Sequence, residues 1–259
     1  MQRIRILNVD VDNVRQSDLL TNACGKRIIV PINVDVLMKF QQDAELYRLI
    51  QARRGDICIC LDSQIIKAVA AIVLGKRFVE KISGSDLLPA FYRHYAHDYD
   101  MRIFLLGAMG GVARRAMERI NHKVERNIVT DALSPSYGFE NRPQECADIV
   151  GRINASGATM LVVGVGAPKQ EKWIFRYADQ LPNVRLFLAA GATIDFEAGN
   201  APRAPVFISA WGFEWLYRLL HEPRRLAKRY LIDNVPFFWL AVKQRLGAYR
   251  DPFAAQEAS

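Results

Sequence analysis

The sequence predicts an α/β fold: a mostly parallel sheet with helices on both faces, followed by a basic helical appendage. Three observations carry this. Short β-branched or apolar runs alternate with stretches of helical periodicity along most of the chain. Glycine-rich loops recur between such a run and the helix that follows it. From about residue 210 that pattern gives way to a basic, aromatic, helical segment. Strands alternating with helices at this pitch form parallel sheets buried on both faces.

The first segment, "RIRILNVDVDNV", alternates as an edge strand or hairpin does. "KRIIVPIN" (26–33) is a β-branched strand stopped by Pro31. The stretch "VDVLMKFQQDAELYRLIQARRG" then places Val36, Leu37, Phe40, Leu46, Leu49 and Ile50 at helical spacing, and Gly55 ends the helix. "DICICLD" reads as a buried strand and "SQIIKAVAAIVLG" as an apolar helix closed by Gly75. "SGSD" (83–86) is a turn and helix cap before "LLPAFYRHY". "MRIFLLGAMGGVARRAMERINHK" and "ATMLVVGVGAPKQEKWIFRYADQL" each run strand, glycine loop, helix, and "VRLFLAAGATIDFEAG" adds a further strand and loop. The expected organisation is a Rossmann-like core over 1–209, a basic aromatic appendage over 210–250 and a flexible tail over 251–259.

With 259 residues, 51% of them hydrophobic, the chain can bury a sizeable core as one domain. Its net charge of +8 is uneven: Arg218 to Arg250 holds eight Lys/Arg against Glu222 and Asp233, so six of those charges lie there. A basic end on a near-neutral body points to a polyanion, whether nucleic acid, an anionic membrane face or a phosphorylated ligand. "MQRIRILNVDVD" offers no apolar stretch of signal-peptide length, and no run reaches the roughly 18–20 apolar residues of a bilayer span. Cys24, Cys58, Cys60 and Cys146 lack metal or disulfide spacing and read as structural thiols in a reducing cytosol.

In a parallel sheet, ligands bind where loops converge at the carboxyl ends of the strands. The loops at Asn33, Asp62–Ser63, Gly107–Gly111, Gly164–Gln170 and Gly191–Asp195 would share that edge. "GAMGGVARR" and "GVGAPKQEKW" let the backbone approach a phosphate at a helix N-terminus, although either alone would also suit a tight turn. The first contributes Gly107 and Gly110, the second Gly164, Gly166, Lys169, Gln170 and Glu171. Neither is a dinucleotide or Walker fingerprint. Asp62 closes an apolar strand, where it serves either as a general base or as the N-cap of the following helix, and Asp195 invites the same two readings. Asp10 and Asp12 have the spacing of a divalent-cation pair but read more simply as a solvated strand. His94 and His97 lack further ligands nearby in sequence. No metal and no cofactor is expected.

"KISGSDLLPAF", "RIFLLGAMGGVA", "INASGATMLVVGVGAPKQEKWI", "AAGATIDFEAG" and "EWLYRLLHEPRRLAKRYL" occur in this order. Together they resemble the WecG/TagA/CpsF family of bacterial glycosyltransferases, glycosyltransferase family 26, over roughly residues 3–245. The resemblance implies an inverting, metal-independent enzyme that moves a sugar from a UDP-sugar to a polyprenyl-diphosphate-linked sugar. It implies work at the cytoplasmic face of the bacterial inner membrane as a peripheral protein. It makes Asp62 the general base, sets Asn33 beside it, and gives Gln170 contact with the nucleotide-sugar. The appendage would dock on the anionic membrane and complete the site with Arg218 and Arg225. Three positions depart from the family: Pro31-Ile32-Asn33 stands for Thr-Pro-Asn, Asp62-Ser63 for Asp-Gly, and Lys81 for an arginine. All three fall where the sugars should bind. They favour a branch that transfers glucose in exopolysaccharide synthesis over transfer of N-acetylmannosamine or its uronic acid to a GlcNAc-diphosphate lipid.

A nucleic-acid binder is the rival from another class, with Trp211, Trp215, Tyr217 and Trp239 stacking bases. These aromatics fall among leucines at helical spacing, which suits a core or a membrane better, so no nucleic-acid partner is expected. A nucleotide-sugar epimerase or dehydrogenase would need a dinucleotide fingerprint near the first strand, and "IIVPIN" has none. The sequence leaves the sugar, the linkage, the acceptor and any self-association open.

Overall fold

The Ile-, Val- and Leu-rich runs become strands, and the amphipathic stretches become helices, in a computed structural model that describes residues 2–21, 25, 27–200, 217 and 233–254. An antiparallel hairpin, β1 (Arg3–Ile6) and β2 (Val9–Asp12), opens the chain. The parallel strands β3 (Ile28–Ile32), β4 (Ile57–Leu61), β5 (Ile103–Gly107), β6 (Val129–Leu133), β7 (Met160–Gly164) and β8 (Leu186–Ala189) form one sheet in the order β4-β3-β8-β7-β5-β6. The described helices are α1 (Gln16–Leu20), α2 (Val34–Gln42), α3 (Ala44–Ala52), α4 (Gln64–Ile72), α5 (Gly84–His94), α6 (Val112–Lys123), α7 (Pro143–Ala155), α8 (Lys169–Tyr177), α9 (Thr193–Ala198) and α10 (Pro236–Arg245). This is the Rossmann-like α/β architecture that the sequence predicts.

Side chains alternate across each strand and fill two cores. Ile28, Val30, Ile59, Val163 and Phe187 pack on one face with α2, α3 and α8, and Ile29, Cys58, Leu105, Val162 and Leu188 on the other with α5, α6 and α9. Cys58, Cys60 and Cys146 are buried and in no disulfide, as structural thiols should be; Cys24 lies outside the described residues.

Several local features differ from the sequence reading. The expected single helix from 34 to the stop at Gly55 is two, because the Asp43 carboxylate accepts from Leu46 N at 3.0 Å and starts α3 as its N-cap. Pro31 lies inside β3 rather than ending it. Strand alternation aims its missing N–H toward β8, whose pairing with β3 is confined to Ile28 and Ile29. Neither β6 nor α7 was anticipated, since Thr130 and Asp131 break the apolar run at a sheet edge.

The hairpin covers the open edge of β4, which would otherwise offer unpaired backbone groups. Ile59 N donates to Asp12 Oδ2 at 3.0 Å, and Arg3 Nε to Asp12 Oδ1 at 3.1 Å. Asp12 is 3% exposed, and Asp10 pairs with Arg5 and Arg54. Both aspartates are thus structural and partnered, not a solvated strand.

α10 buries Phe237 in the first core and also buries Ala241, and its Gln244 joins the hairpin turn by accepting from Leu7 N and donating to Arg5 O. Asp251 accepts from Asn8 Nδ2 and the Tyr47 hydroxyl, and Phe253 is buried, so the chain stays anchored past residue 251, where a flexible tail was expected. No described helix is long and apolar enough to cross a membrane.

Candidate active site

Because all six strands run parallel, the loops after β3, β4, β5, β7 and β8 converge at one carboxyl edge, as their spacing in sequence implied. The N-termini of α2, α4, α5, α6 and α8 open onto it, and each adds partial positive charge and orphan N–H groups. Such an edge favours an anion.

Asp62 follows β4 and is half-buried. The helix cap that competed with a catalytic reading belongs to its neighbour: Ser63 Oγ accepts from Ile66 N at 3.1 Å and starts α4. The chain returns to the same spot 20 residues later in sequence, where Ile82 N donates to Leu61 O at 2.7 Å. That bond sets the half-buried Lys81 alongside the end of β4. Gly84 then abuts Asp62 so closely that a Cβ there would lie 3.1 Å from Asp62 Oδ2 and 3.2 Å from Pro31 Cβ. Pro31, Asp62 and the "SGSD" turn therefore form one cluster, joined from the β8 side by Thr193 Oγ1, which donates to Gly84 O at 3.2 Å. Ser83, expected to cap α5, instead shares a hydrogen bond with the Ser85 hydroxyl at 2.9 Å. Asn33, one strand away on β3, caps α2 by accepting from Val36 N at 3.1 Å.

The middle of the edge is built from bare backbone. A Cβ on Gly107 would fall 2.4 Å from Gly164 O, and one on Gly164 2.7 Å from Gly191 O. The ends of β5, β7 and β8 are thus packed shoulder to shoulder with no side chain between them. Gly110 and Gly166, further out, have nothing within 4 Å of an added Cβ.

Gln170, expected to face the nucleotide, is 4% exposed, and its side chain joins two loops. Its Oε1 accepts from Gly166 N and from Gly191 N, each at 3.1 Å. Its Nε2 donates to Glu171 Oε1 at 2.9 Å. Glu171 is wholly buried, and burial pushes its carboxyl from 4.5 up to about 7. Lys169 lies at the rim, 2.5 Å from Glu140 Oε1 and 5.0 Å from the centre of the exposed Tyr137 ring. The hydrogen bond that the Lys169 ammonium donates to Glu140 raises its pKa above the ordinary value. Asp195 sits in the first turn of α9, half-buried. Arg218 and Arg225 lie outside the described residues.

The structure therefore brings Asn33, Asp62, Lys81, Gly107, Gly164, Gln170 and Asp195 to one edge. It also adds Gly84 and Thr193, which sequence reasoning treated only as a turn and a loop. Among the described residues no three His, Cys, Asp or Glu gather in a group that could hold a metal, and His94 packs edge-on against Tyr95 at 4.7 Å. A carboxylate held beside a small-residue turn, next to converging helix N-termini, can take a proton from a hydroxyl while neighbouring amides receive an anionic leaving group. That chemistry agrees with the motif resemblance and with a comparison of the whole chain: the model of the glycosyl transferase WecG/TagA/CpsF family matches residues 4–251, and the chain belongs to that family.

Proposed function

We propose that this glycosyltransferase moves a hexose, glucose in our reading, from a UDP-sugar onto a polyprenyl-diphosphate-linked sugar with inversion at the anomeric carbon, in exopolysaccharide synthesis. The observation that carries the reading is Asp62 at the end of β4, pressed against Gly84 while Ser63 takes the helix cap. Asp62 accepts the proton of the acceptor hydroxyl as that oxygen attacks, and one displacement with one base inverts the centre. The departing UDP carries its charge into the loop amides and helix N-termini of α6 and α8, with no metal or cofactor taking part. Gly107, Gly110, Gly164 and Gly166 let the backbone approach the diphosphate, and Lys169 stands at the rim as its cation. Asn33, Lys81 and Asp195 meet the sugars. Gln170 acts through the two loops it joins, with Glu171 behind it.

Docking at the cytoplasmic membrane face is part of the proposal. Val235, Phe238, Trp239 and Val242 recur at helical spacing on the exposed side of α10, beside Lys243 and Arg245. Apolar side chains next to cations suit an anionic interface. The adjoining basic segment from residue 210, with Arg218 and Arg225, would complete the site over the lipid-linked acceptor.

The test is UDP release from a panel of UDP-sugars, with polyprenyl-diphosphate-glucose and polyprenyl-diphosphate-GlcNAc as acceptors. Turnover of UDP-glucose onto the glucose lipid supports the reading. Turnover of an N-acetylmannosamine donor onto the GlcNAc lipid would replace it with the second reading, in which Pro31, Ser63 and Lys81 are tolerated variants.

A further inference from the structure

A buried glutamine whose oxygen serves two loops raises the question of what holds its amide the right way round. The two ends of a glutamine amide are nearly equal in shape. Flipped, Gln170 would aim N–H groups at the N–H groups of Gly166 and Gly191 and lose both bonds. Those two amides hold the oxygen end, and Glu171 holds the nitrogen end: its Oε1 accepts from Nε2 and would repel Oε1. Glu171 is 0% exposed, and its Oε2 has no hydrogen-bond partner among the described residues. We propose that Glu171 is a positioning residue, whose buried carboxyl orients the Gln170 amide and so sets the spacing of the Gly166 and Gly191 loops that receive the donor diphosphate. The proposal rests on the reading of this edge as a sugar-nucleotide site.

The carboxyl serves best when neutral. With its proton on Oε2, Oε1 still accepts from Gln170, and no negative charge lies beneath the phosphates. Burial favours that form up to about pH 7. The charged groups facing it come from α2: Lys39, which favours the carboxylate, and Asp35, which opposes it. Lys39 is itself held by Asp35 at 2.8 Å and by Ala167 O at 2.9 Å, so its charge is already shared. Ionisation of Glu171 at higher pH would set like charge against the donor.

The experiment compares the full chain with Glu171→Gln, which mimics the neutral acid, and Glu171→Leu, which removes the acceptor. Amide hydrogen exchange at Gly166 and Gly191, measured without donor, reads the clamp directly. Exchange should be unchanged in Glu171→Gln and about tenfold or more faster in Glu171→Leu, as expected when a buried hydrogen-bond partner is removed. KM for UDP-sugar should rise about tenfold in Glu171→Leu with kcat changed far less, and Glu171→Gln should restore it. Protected amides in a folded Glu171→Leu protein, or a Glu171→Gln protein that behaves like it, would overturn the proposal. If Glu171→Leu does not fold, the pH profile decides: KM should rise above about pH 7 in the wild type and stay flat in Glu171→Gln. Coincident profiles would overturn it. Because exchange needs no substrate, a wild type inactive on every UDP-sugar would refute the functional reading and leave this one standing or falling by itself.

Discussion

Replacing Gly164 by alanine should damage the carboxyl edge by an amount that the backbone geometry sets. An alanine Cβ there would sit 2.7 Å from Gly191 O and 3.0 Å from Ile194 Cδ1. The side chain of Ile194 can yield, but the carbonyl belongs to the loop after β8 and moves only with it. Overpacking of this kind costs about 1–3 kcal/mol. Gly107→Ala meets Gly164 O at 2.4 Å and adds a strained φ of +144°, worth about 1–3 kcal/mol more. Gly110→Ala is the control, since its Cβ meets nothing within 4 Å. At roughly 2–4 °C per kcal/mol for a chain of this size, thermal melts should show Gly164→Ala lower by about 2–12 °C and Gly107→Ala lower still. Gly110→Ala should stay within about 0.5 kcal/mol of the wild type. Calorimetric titration with UDP should show weakened binding in Gly164→Ala, because forcing β7 from β8 parts the loops that Gln170 joins, and in Gly107→Ala, whose clash displaces Gly164 itself. A Gly164→Ala protein with wild-type Tm would refute the claim that these strand ends are in backbone contact.

Further outcomes follow from the same geometry. The folded-state carboxyl of Glu171 lies at about 7 against an ordinary 4.5, so the folded protein holds its proton longer than the unfolded chain. Stability should therefore fall as pH rises from about 4.5 to 7, by about 3 kcal/mol from this group. In urea titrations Glu171→Gln should match the wild type near pH 4.5 and exceed it above pH 7, and parallel curves would contradict this. Adding EDTA should leave turnover largely intact, and a strict need for Mg²⁺ or Mn²⁺ would count against amides and arginines as the only support for the leaving UDP. Replacing Phe238 and Trp239 together by serine removes exposed side chains, so the protein should fold normally yet be lost from anionic liposomes in flotation assays. Retention equal to the wild type would remove α10 as an anchor.

The parallel sheet was legible because β3, β4, β5, β7 and β8 are buried on both faces and so written almost entirely in apolar residues. β6 was not, since an edge strand buried mainly at Val129 can carry Thr130 and Asp131 without cost. The split at Asp43 was hidden because apolar spacing runs through it, although a capping Asp three residues before Leu46 was its signal. The converging loops were foreseen from topology alone, and so was Asp62 as a candidate. What sequence could not show was which neighbour takes the cap, since Asp62 and Ser63 are equally suited and only the backbone path decides. The inward turn of Gln170 and Glu171 was likewise out of reach. It depends on Gly191, 21 residues further along the chain, arriving beside Gly166 through the pairing of β7 with β8.

The most direct test of the account is the turnover of Asp62→Asn against the wild type, on whichever UDP-sugar and lipid-linked acceptor pair the wild type uses. Asparagine keeps the size of the side chain beside Gly84 and removes its ability to take a proton. The account predicts an unchanged melting temperature, unchanged UDP binding and a kcat lower by about 10²–10⁴-fold. A folded Asp62→Asn enzyme within a few-fold of the wild-type rate would contradict it, and the base would have to be sought elsewhere along the edge.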